Sequence, residues 1–454
     1  MKKTILTAVC LMALGGSQAS AEPAAAAAQS ALTDEQRSAL KAEASSGNLA
    51  PELLLSAEDM RWWRDAKLGI FIHWGLYALP AQGEWHMYNN KIDPKEYAKL
   101  ADRFNPKHFD PDGWAKLAKD AGAEYMVMTA RHHDGFAMFD SPSSYNNYDS
   151  MHSAARKDFV AAYVAAVRRH SMKVGIYYSP MDWRFPGYFD PKGLPENAAL
   201  MKKQGYGQVN ELMSNFGKID ILWYDGGWLA HQGTDADAAW LWRPEILNAN
   251  VRKLQPKIVI NPRSGWQGDF ETEEGGHAVG GPVRTKPWEK VFSMGPGWGY
   301  IASGKTMGSQ EVIRLIVDSV VRNGNVLVNM SPDPDGDIPK AQVQTLQALG
   351  AWMRVNGESI YNTRPGPYQP VDGLYGSTVR DKNVYIHVRS WRGDRLQLPA
   401  LAQKIQSATT LAGVPVRFAQ SAEGIVLAEE AGSHAPADTV IRLETDVPAA
   451  PIVP

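Results

Sequence analysis

The sequence predicts an α/β protein: a (β/α)8-like barrel of parallel strands followed by a small C-terminal antiparallel β-sandwich. Three observations carry that expectation. Short, nearly unbroken apolar runs recur through the middle of the chain, as strands buried on both faces require. Segments with apolar residues at helical spacing separate them, the rhythm of repeated strand–helix units. Polar and aromatic residues gather where each run ends, at the rim on which barrels build their sites.

In chain order, the runs are "LGIFIHWG" (68–75), "EYMVMTA" (124–130), "KVGIYYS" (173–179), "IDILWYDGG" (219–227) and "KIVINPR" (257–263). Between them, "DPDGWAKLAKDAG", "KDFVAAYVAAVRRHS" and "PENAALMKKQGYGQVNELMSNFG" read as helices. In the second, Phe159, Tyr163, Val164 and Val167 fall on one face. A helix over 309–322, an Asn-Gly turn, a strand over 325–330 and a closing helix complete the barrel. From about residue 363, short runs such as "NVYIHV", "GIVLAEE" and "TVIRLETD" alternate with turn residues, which marks an antiparallel module. No glycine-rich phosphate loop follows the first strand, so a doubly wound nucleotide-binding sheet lacks its signature. The expected division is a signal peptide over 1–21, a lead-in over 22–55, a barrel over 56–362 and the β-sandwich over 363–454.

Composition narrows the function. The 454 residues are 44% hydrophobic and 21% charged, with a net charge of −2, so the basic stripe of a nucleic-acid partner is missing. The 15 Trp and 17 Tyr suit a carbohydrate site, because sugar rings pack an apolar face on flat π surfaces, although large cores also use Trp. At the N-terminus, Lys2 and Lys3, an apolar run and Ala19-Ser20-Ala21 read as a cleaved export signal. The single cysteine, Cys10, lies inside it, so the mature chain has no disulfide, thiol nucleophile or cysteine-held metal. No later run reaches the ~20 apolar residues that span a bilayer. An exported protein, periplasmic or secreted, with no membrane partner is expected.

The chemistry-bearing residues sit at strand ends. Asp225 follows "LWY" and precedes two glycines, and a carboxylate there is costly to bury without a partner or a use. A second carboxylate is sought among Glu84, Glu271, Glu273, Glu274 and Glu289, and spacing does not choose. His132 and His133 are adjacent in "TARHHDGF". With Asp134 and His73 they invite a metal, but adjacent residues on a strand face opposite ways, and the spacing fits no zinc signature. The loop "DPDGD" (333–337) lacks the terminal Glu of a calcium loop and reads as a turn. Neither metal nor cofactor is expected.

Taken together, "GIFIHWGLYALP", "GEWHMYNN", "TARHHDGFAMFDS", "GIYYSPMDW", "LWYDGG" and "NGNVLVNMSPDPDGDIP" resemble the α-L-fucosidases of glycoside hydrolase family 29. The resemblance runs over roughly residues 56–365. It implies an exo-acting retaining enzyme that removes terminal α-L-fucose from oligosaccharides or polysaccharides without a cofactor. Asp225 matches the family nucleophile, and His73, His132 and His133 match histidines that hold fucose hydroxyls. Glu84, Trp85, Tyr178, Trp223, Arg263 and Trp298 match pocket positions. A Trp-Glu pair before Trp-Gly-Tyr nominates Glu289 as the acid/base. The intervening "KVFSMGPG" departs from the family's pattern, which keeps Glu271 as second choice. The same scaffold acting on α-L-galactosides, or keeping only fucose binding, are the alternatives. The pairing of Asp225 with a Trp-Glu motif favours chemistry over binding alone.

Overall fold

The computed structural model describes residues 50–453, apart from 227, 228, 233, 392 and 429–437. The expected signal segment and most of the lead-in therefore lie outside the described residues. Eight parallel strands form one curled sheet: β1 (Leu68–Ile72), β2 (Tyr125–Arg131), β3 (Lys173–Tyr178), β4 (Ile221–Tyr224), β5 (Val259–Ile260), β6 (Glu271–Glu274), β7 (Trp288–Ser293) and β8 (Gly324–Met330). Their order is β5-β4-β3-β2-β1-β8-β7-β6. The outer helices are α1 (Pro111–Asp120), α2 (Phe159–Arg169), α3 (Pro195–Asn215), α4 (Asp235–Trp242), α5 (Pro244–Leu254), α6 (Ser309–Val320) and α7 (Lys340–Asn356).

The two-residue side-chain period of the strands divides the core into an inside and an outside. Phe71, Tyr125, Val127, Tyr177, Ile221, Trp223, Val259, Val291 and Leu327 pack together in the lumen. Their sequence neighbours Ile70, Ile72, Met126, Met128, Ile176, Tyr178, Leu222, Tyr224 and Ile260 pack outward under the helices. Both sets are buried, which is why the runs show no polar alternation. Each such side chain contributes about 1.5–3 kcal/mol relative to exposure. Gly69 has a specific use here: a Cβ would lie 2.2 Å from the Tyr125 ring, so glycine lets that ring lie across the lumen.

Helix starts follow their capping residues. The Asp110 carboxylate accepts from Gly113 N at 2.9 Å, with Pro111 beginning α1. Asp158 accepts from Ala161 N at 2.7 Å and starts α2. Both satisfy donors that a first helical turn leaves unpaired.

Two differences from a regular barrel matter for the site. β4 and β5 are shorter than the runs suggest, and β5 and β6 do not pair as strands. Beyond β5 the Asn261 side chain takes over the ladder, accepting from Tyr224 N at 2.7 Å and donating to Tyr224 O at 2.8 Å. The main chain is thereby free to turn, and the next residues carry Arg263 toward the lumen. β6 and β7 were not foreseen as strands. β6 turns Glu271 and Glu273 outward, and Lys290 of β7, between the outward Trp288 and Phe292, donates to Glu273 at 2.8 Å, so charged residues interrupt any apolar run. Asp333 accepts from the amides of Asp335 and Asp337 at 2.9 and 3.0 Å, and the 333–337 loop is a turn closed by its own first carboxylate.

Beyond α7 lie β9 (Arg364–Pro365), β10 (Tyr375–Arg380), β11 (Asn383–Val388), β12 (Arg395–Leu398), β13 (Ile405–Thr410), β14 (Arg417–Gln420), β15 (Ile425–Ala428) and β16 (Thr439–Thr445). They form a five-stranded sheet, β13-β16-β11-β10-β9, and a three-stranded sheet, β12-β15-β14. All pairings are antiparallel. Val384, Ile386, Ile441 and Leu443 of one sheet pack with Leu396, Leu398, Ile425 and Leu427 of the other.

Candidate active site

The lumen opens at the C-terminal strand ends into a cavity of about 340 Å³. Asp225 enters it directly after β4. Its amide donates to Tyr178 O at 3.1 Å, which continues the ladder one residue past the strand. Gly226 follows with φ 70°, and a Cβ there would lie 2.1 Å from Met181 Cε and 3.2 Å from the His133 ring. The glycine lets the chain turn away while the carboxylate stays in the pocket.

The Asp225 carboxylate is held from three sides. Arg263 Nη2 donates to Oδ1 at 2.6 Å. The Tyr177 hydroxyl donates to Oδ2 at 2.6 Å, and His133 Nε2 lies 3.4 Å from the same oxygen. Burial lifts this carboxyl to about 6, against the pull of the Arg263 cation and with the charge of Glu274 adding to the rise. At neutral pH the group is therefore ionised, yet poorly solvated.

Glu274, the last residue of β6, lines the same cavity. Arg263 Nη1 donates to Glu274 Oε2 at 2.7 Å, so one guanidinium holds both carboxylates. The run Glu271-Thr272-Glu273-Glu274 divides by strand parity. Glu273 faces outward to Lys290 and Arg284, and Glu271 is solvent-exposed, 3.4 Å from Lys286 Nζ. Only Glu274 of the three glutamates reaches the pocket. Glu271 is therefore not in position for the acid/base role considered for it.

Glu289 is not in position either. On β7 it pairs with Thr272, two residues below the Glu274 level, and it does not line the cavity. Its carboxylate is 1% exposed and accepts from the Tyr125 hydroxyl at 2.6 Å and Trp223 Nε1 at 3.0 Å. Burial raises it to about 7, with those two donors opposing. Trp223 lines the pocket above it, so Glu289 fixes the floor from underneath.

Glu84 is a third pocket carboxylate. Its Oε2 accepts from Gly299 N at 2.7 Å, and burial raises it to about 7, with Glu274 and Asp225 adding. Trp85 beside it makes a wall, its ring 5.3 Å from His133 and 5.0 Å from Trp183.

The histidines follow from the end of β2. The register against β3 shifts between Thr129 and Arg131, a bulge that changes the side-chain parity. Arg131 ties this bulge down, reaching the Tyr178 hydroxyl at 2.9 Å and Asp182 at 2.6 Å. His132 and His133 thus both face the cavity, with ring centroids 3.9 Å apart. Burial depresses both rings well below the ordinary histidine value, reinforced by neighbouring rings and arginines. It lowers His73 to about 3, against its bond with Asn329. Neutral rings each offer one donor and one acceptor. His73 Nδ1 lies 2.8 Å from Asn329 Oδ1, and a carbonyl oxygen only accepts, so Nδ1 carries the hydrogen and Nε2 is left to accept. Asn329 is oriented by its Nδ2 bonds to Ser293 Oγ and Trp298 O, at 3.1 and 2.7 Å. His132 Nδ1 is buried and has no partner among the described residues. Trp298 packs over His73 with centroids 5.2 Å apart.

His132, His133 and Asp225 offer ligand atoms within 4.8 Å of one another. The Arg263 cation already contacts Asp225, so a metal there would meet like charge at close range. Asp134, considered with the histidines, turns away to Tyr97 Oη and Phe136 N at 3.2 and 3.1 Å.

Of the sequence-expected pocket residues, His73, Glu84, Trp85, His132, His133, Trp223, Asp225, Arg263 and Trp298 all line the cavity. Tyr178 does not: it is the outward residue of β3, bonded to Arg131 and Gln208. Tyr177 is the inward one and was missed, as was Phe71, and Glu274 was among the candidate carboxylates without being chosen. Strand parity was the signal for each, because Tyr177 pairs with Trp223 and both face the lumen.

The α-L-fucosidase family model matches residues 37–358. The tissue α-L-fucosidase of Rattus norvegicus is 30% identical over 415 residues, which cover 82% of this chain and 86% of that protein. Among solved structures, α-L-fucosidase isoenzyme 1 from Paenibacillus thiaminolyticus is similar with a TM-score of 0.77 and 31% identity, over 86% of this chain and 99% of that one. A family 29 α-L-fucosidase from Bacteroides thetaiotaomicron was solved as a trapped covalent intermediate with 2-fluoro-fucosyl fluoride, using a Glu-to-Gln mutant. It has a TM-score of 0.78 and 26% identity, over 87% of this chain and 97% of that one. Among the described residues, no helix is long and apolar enough to cross a membrane.

Proposed function

Because this chain belongs to the α-L-fucosidase family of glycoside hydrolases, we propose that it releases terminal α-L-fucose from fucosylated oligosaccharides or polysaccharides with net retention. The observation that carries this reading is the Arg263 fork, which donates to Asp225 at 2.6 Å and to Glu274 at 2.7 Å. Two pocket carboxylates spanned by one guanidinium suit the short separation of retaining pairs, about 5–5.5 Å, in which one carboxylate attacks directly.

In this mechanism Asp225 attacks the anomeric carbon as the bond to the leaving oxygen breaks, giving a covalent fucosyl ester. Glu274 gives its proton to the leaving oxygen. It then takes one from the water that hydrolyses the ester. Glu274 suits that role because it stands at the mouth, followed by Gly275 and Gly276, where the leaving group must sit. The neutral rings of His73, His132 and His133 hold the sugar hydroxyls. Trp85, Trp223 and Trp298 enclose its apolar face. Glu289 acts through Trp223 and touches no substrate.

Glu84 is the rival proton donor, and its rise to about 7 favours that reading. Its greater depth and its Gly299 contact suit holding a sugar hydroxyl instead. The basic, apolar and small-residue pattern of residues 1–21 supports export.

The test is incubation with 2-fluoro-fucosyl fluoride, followed by intact-mass and peptide analysis. One fluorofucosyl adduct on the peptide carrying Asp225, absent in Asp225→Asn, supports the mechanism. An adduct on another residue, or hydrolysis with no adduct, contradicts it.

A further inference from the structure

Aromatic rings continue outward from the sugar pocket. Trp85, on the pocket wall, lies 5.1 Å from the His231 ring. His231 lies 4.5 Å from Tyr88, and Tyr88 stacks nearly parallel to Phe189, at 9° and 6.4 Å. This row ends at a second, open groove of about 250 Å³, lined by Phe189, Lys192, Gln232, Asp237 and Trp240 among others. Phe189 is 41% exposed and Trp240, on α4, 52% exposed. Neither exposure serves the core, and two large exposed rings in one groove are unusual for a surface without a partner.

The floor of the groove is held in place. Ala230 N donates to Tyr188 O at 3.1 Å, and Trp183 Nε1 donates to His231 Nε2 at 3.2 Å. Ala230 and His231 both adopt φ of 54°, a conformation that costs a non-glycine residue free energy. Flat apolar faces bordered by an ammonium, an amide and a carboxylate match a neutral polyhydroxylated chain. The carboxylates Asp190 and Asp237 repel a polyanion, which disfavours nucleic acid or a sulfated polymer.

We propose that this groove binds the sugars beyond the one to which fucose is attached, so that the protein prefers branched or extended fucosylated oligosaccharides. The proposal rests on the fucosidase reading for its position relative to the cleaved bond. The aromatic row joins the groove to the pocket wall at Trp85, and the groove would therefore receive the part of a substrate that extends out of the pocket past that wall.

The test compares Trp240→Ala, Phe189→Ala and Trp240→Phe with wild type on an aryl α-L-fucoside and on fucosylated oligosaccharides of increasing length. The expected result is unchanged kcat/KM on the aryl substrate and a loss of about tenfold on the longest oligosaccharide with either alanine variant. Trp240→Phe should recover most of that loss. Equal changes on all substrates, or no change on any, would overturn the proposal. A parallel titration uses the same oligosaccharide lacking fucose. Wild-type binding that Trp240→Ala weakens supports the groove even if no fucoside is cleaved, a result that would instead overturn the fucosidase reading. Equal binding by both proteins overturns the groove itself.

Discussion

Glu274 and Glu289 stand on neighbouring paired strands, face the same lumen and differ in nearly everything else. Glu274 ends β6 at the open mouth, held by Arg263 beside Asp225. Glu289 is level with Thr272, two residues or about 7 Å further down the barrel. There it is sealed under Trp223 and occupied by two donors. The upper position opens to the cavity, and the lower one meets only the protein. A raised carboxyl value therefore does not identify a catalytic acid. Glu289 reaches about 7 by burial alone, without access to anything it could protonate.

That contrast can be broken most forcefully by removing each group. Glu274→Gln should lower kcat/KM on unactivated fucosyl oligosaccharides by roughly 10²- to 10⁴-fold. Glu289→Gln keeps an acceptor for the Trp223 indole and should stay within about tenfold of wild type, mostly in KM. Steady-state kinetics with one natural oligosaccharide separates the two.

Arg263→Gln tests the cation that links the upper pair. As the proposed nucleophile, Asp225 must be ionised to attack, and Arg263 holds its carboxyl down against burial. Without the guanidinium, the acidic limb of the kcat/KM profile should move to higher pH. The overall loss should be about 10²-fold. An unmoved limb would show that Asp225 is not the group titrating there.

The two tyrosines of β3 sharpen the inside–outside division. Tyr177→Phe removes the hydroxyl that donates to Asp225 and should cost about tenfold in kcat/KM. Tyr178→Phe loses contacts with Arg131 and Gln208, so it should cost about 1 kcal/mol of stability with kcat/KM intact. Reversed results would mean that the register of β3 is off by one residue.

The smallest effect is thermal. Glu289 binds its proton more tightly folded than unfolded, so its contribution is full below the ordinary carboxylate value and is lost as pH climbs through about 7. Glu289→Gln removes that loss. The Tm of the variant relative to wild type should therefore rise between about pH 4.5 and pH 8. A constant difference would mean that the group keeps an ordinary carboxylate value.

The barrel was legible where strands are apolar on both faces, as in β1 to β4. Asp225 and the histidine pair were legible because polar groups stand out at the ends of such runs. β6 and β7 were not, since an apolar-run criterion passes over "ETEE" and Glu289 and Lys290 break the run in "WEKVFS". With β6 unrecognised, nothing in the sequence assigned a side to Glu271, Glu273 or Glu274, and the motif-based choice fell on Glu289. Tyr178 in place of Tyr177 is the same error by one residue. Parity needs the register, and register is fixed by partner strands distant in sequence.

The most direct measurement is azide rescue of Glu274→Ala and Glu289→Ala on an aryl α-L-fucoside. The activated leaving group needs little protonation, so the fucosyl-enzyme still forms and an external nucleophile can replace the missing base. The account predicts that azide accelerates Glu274→Ala and yields α-L-fucosyl azide, because azide displaces the β-linked ester from the α face, while Glu289→Ala shows no rescue. Rescue of Glu289→Ala alone, with Glu274→Ala indifferent to azide, would contradict it.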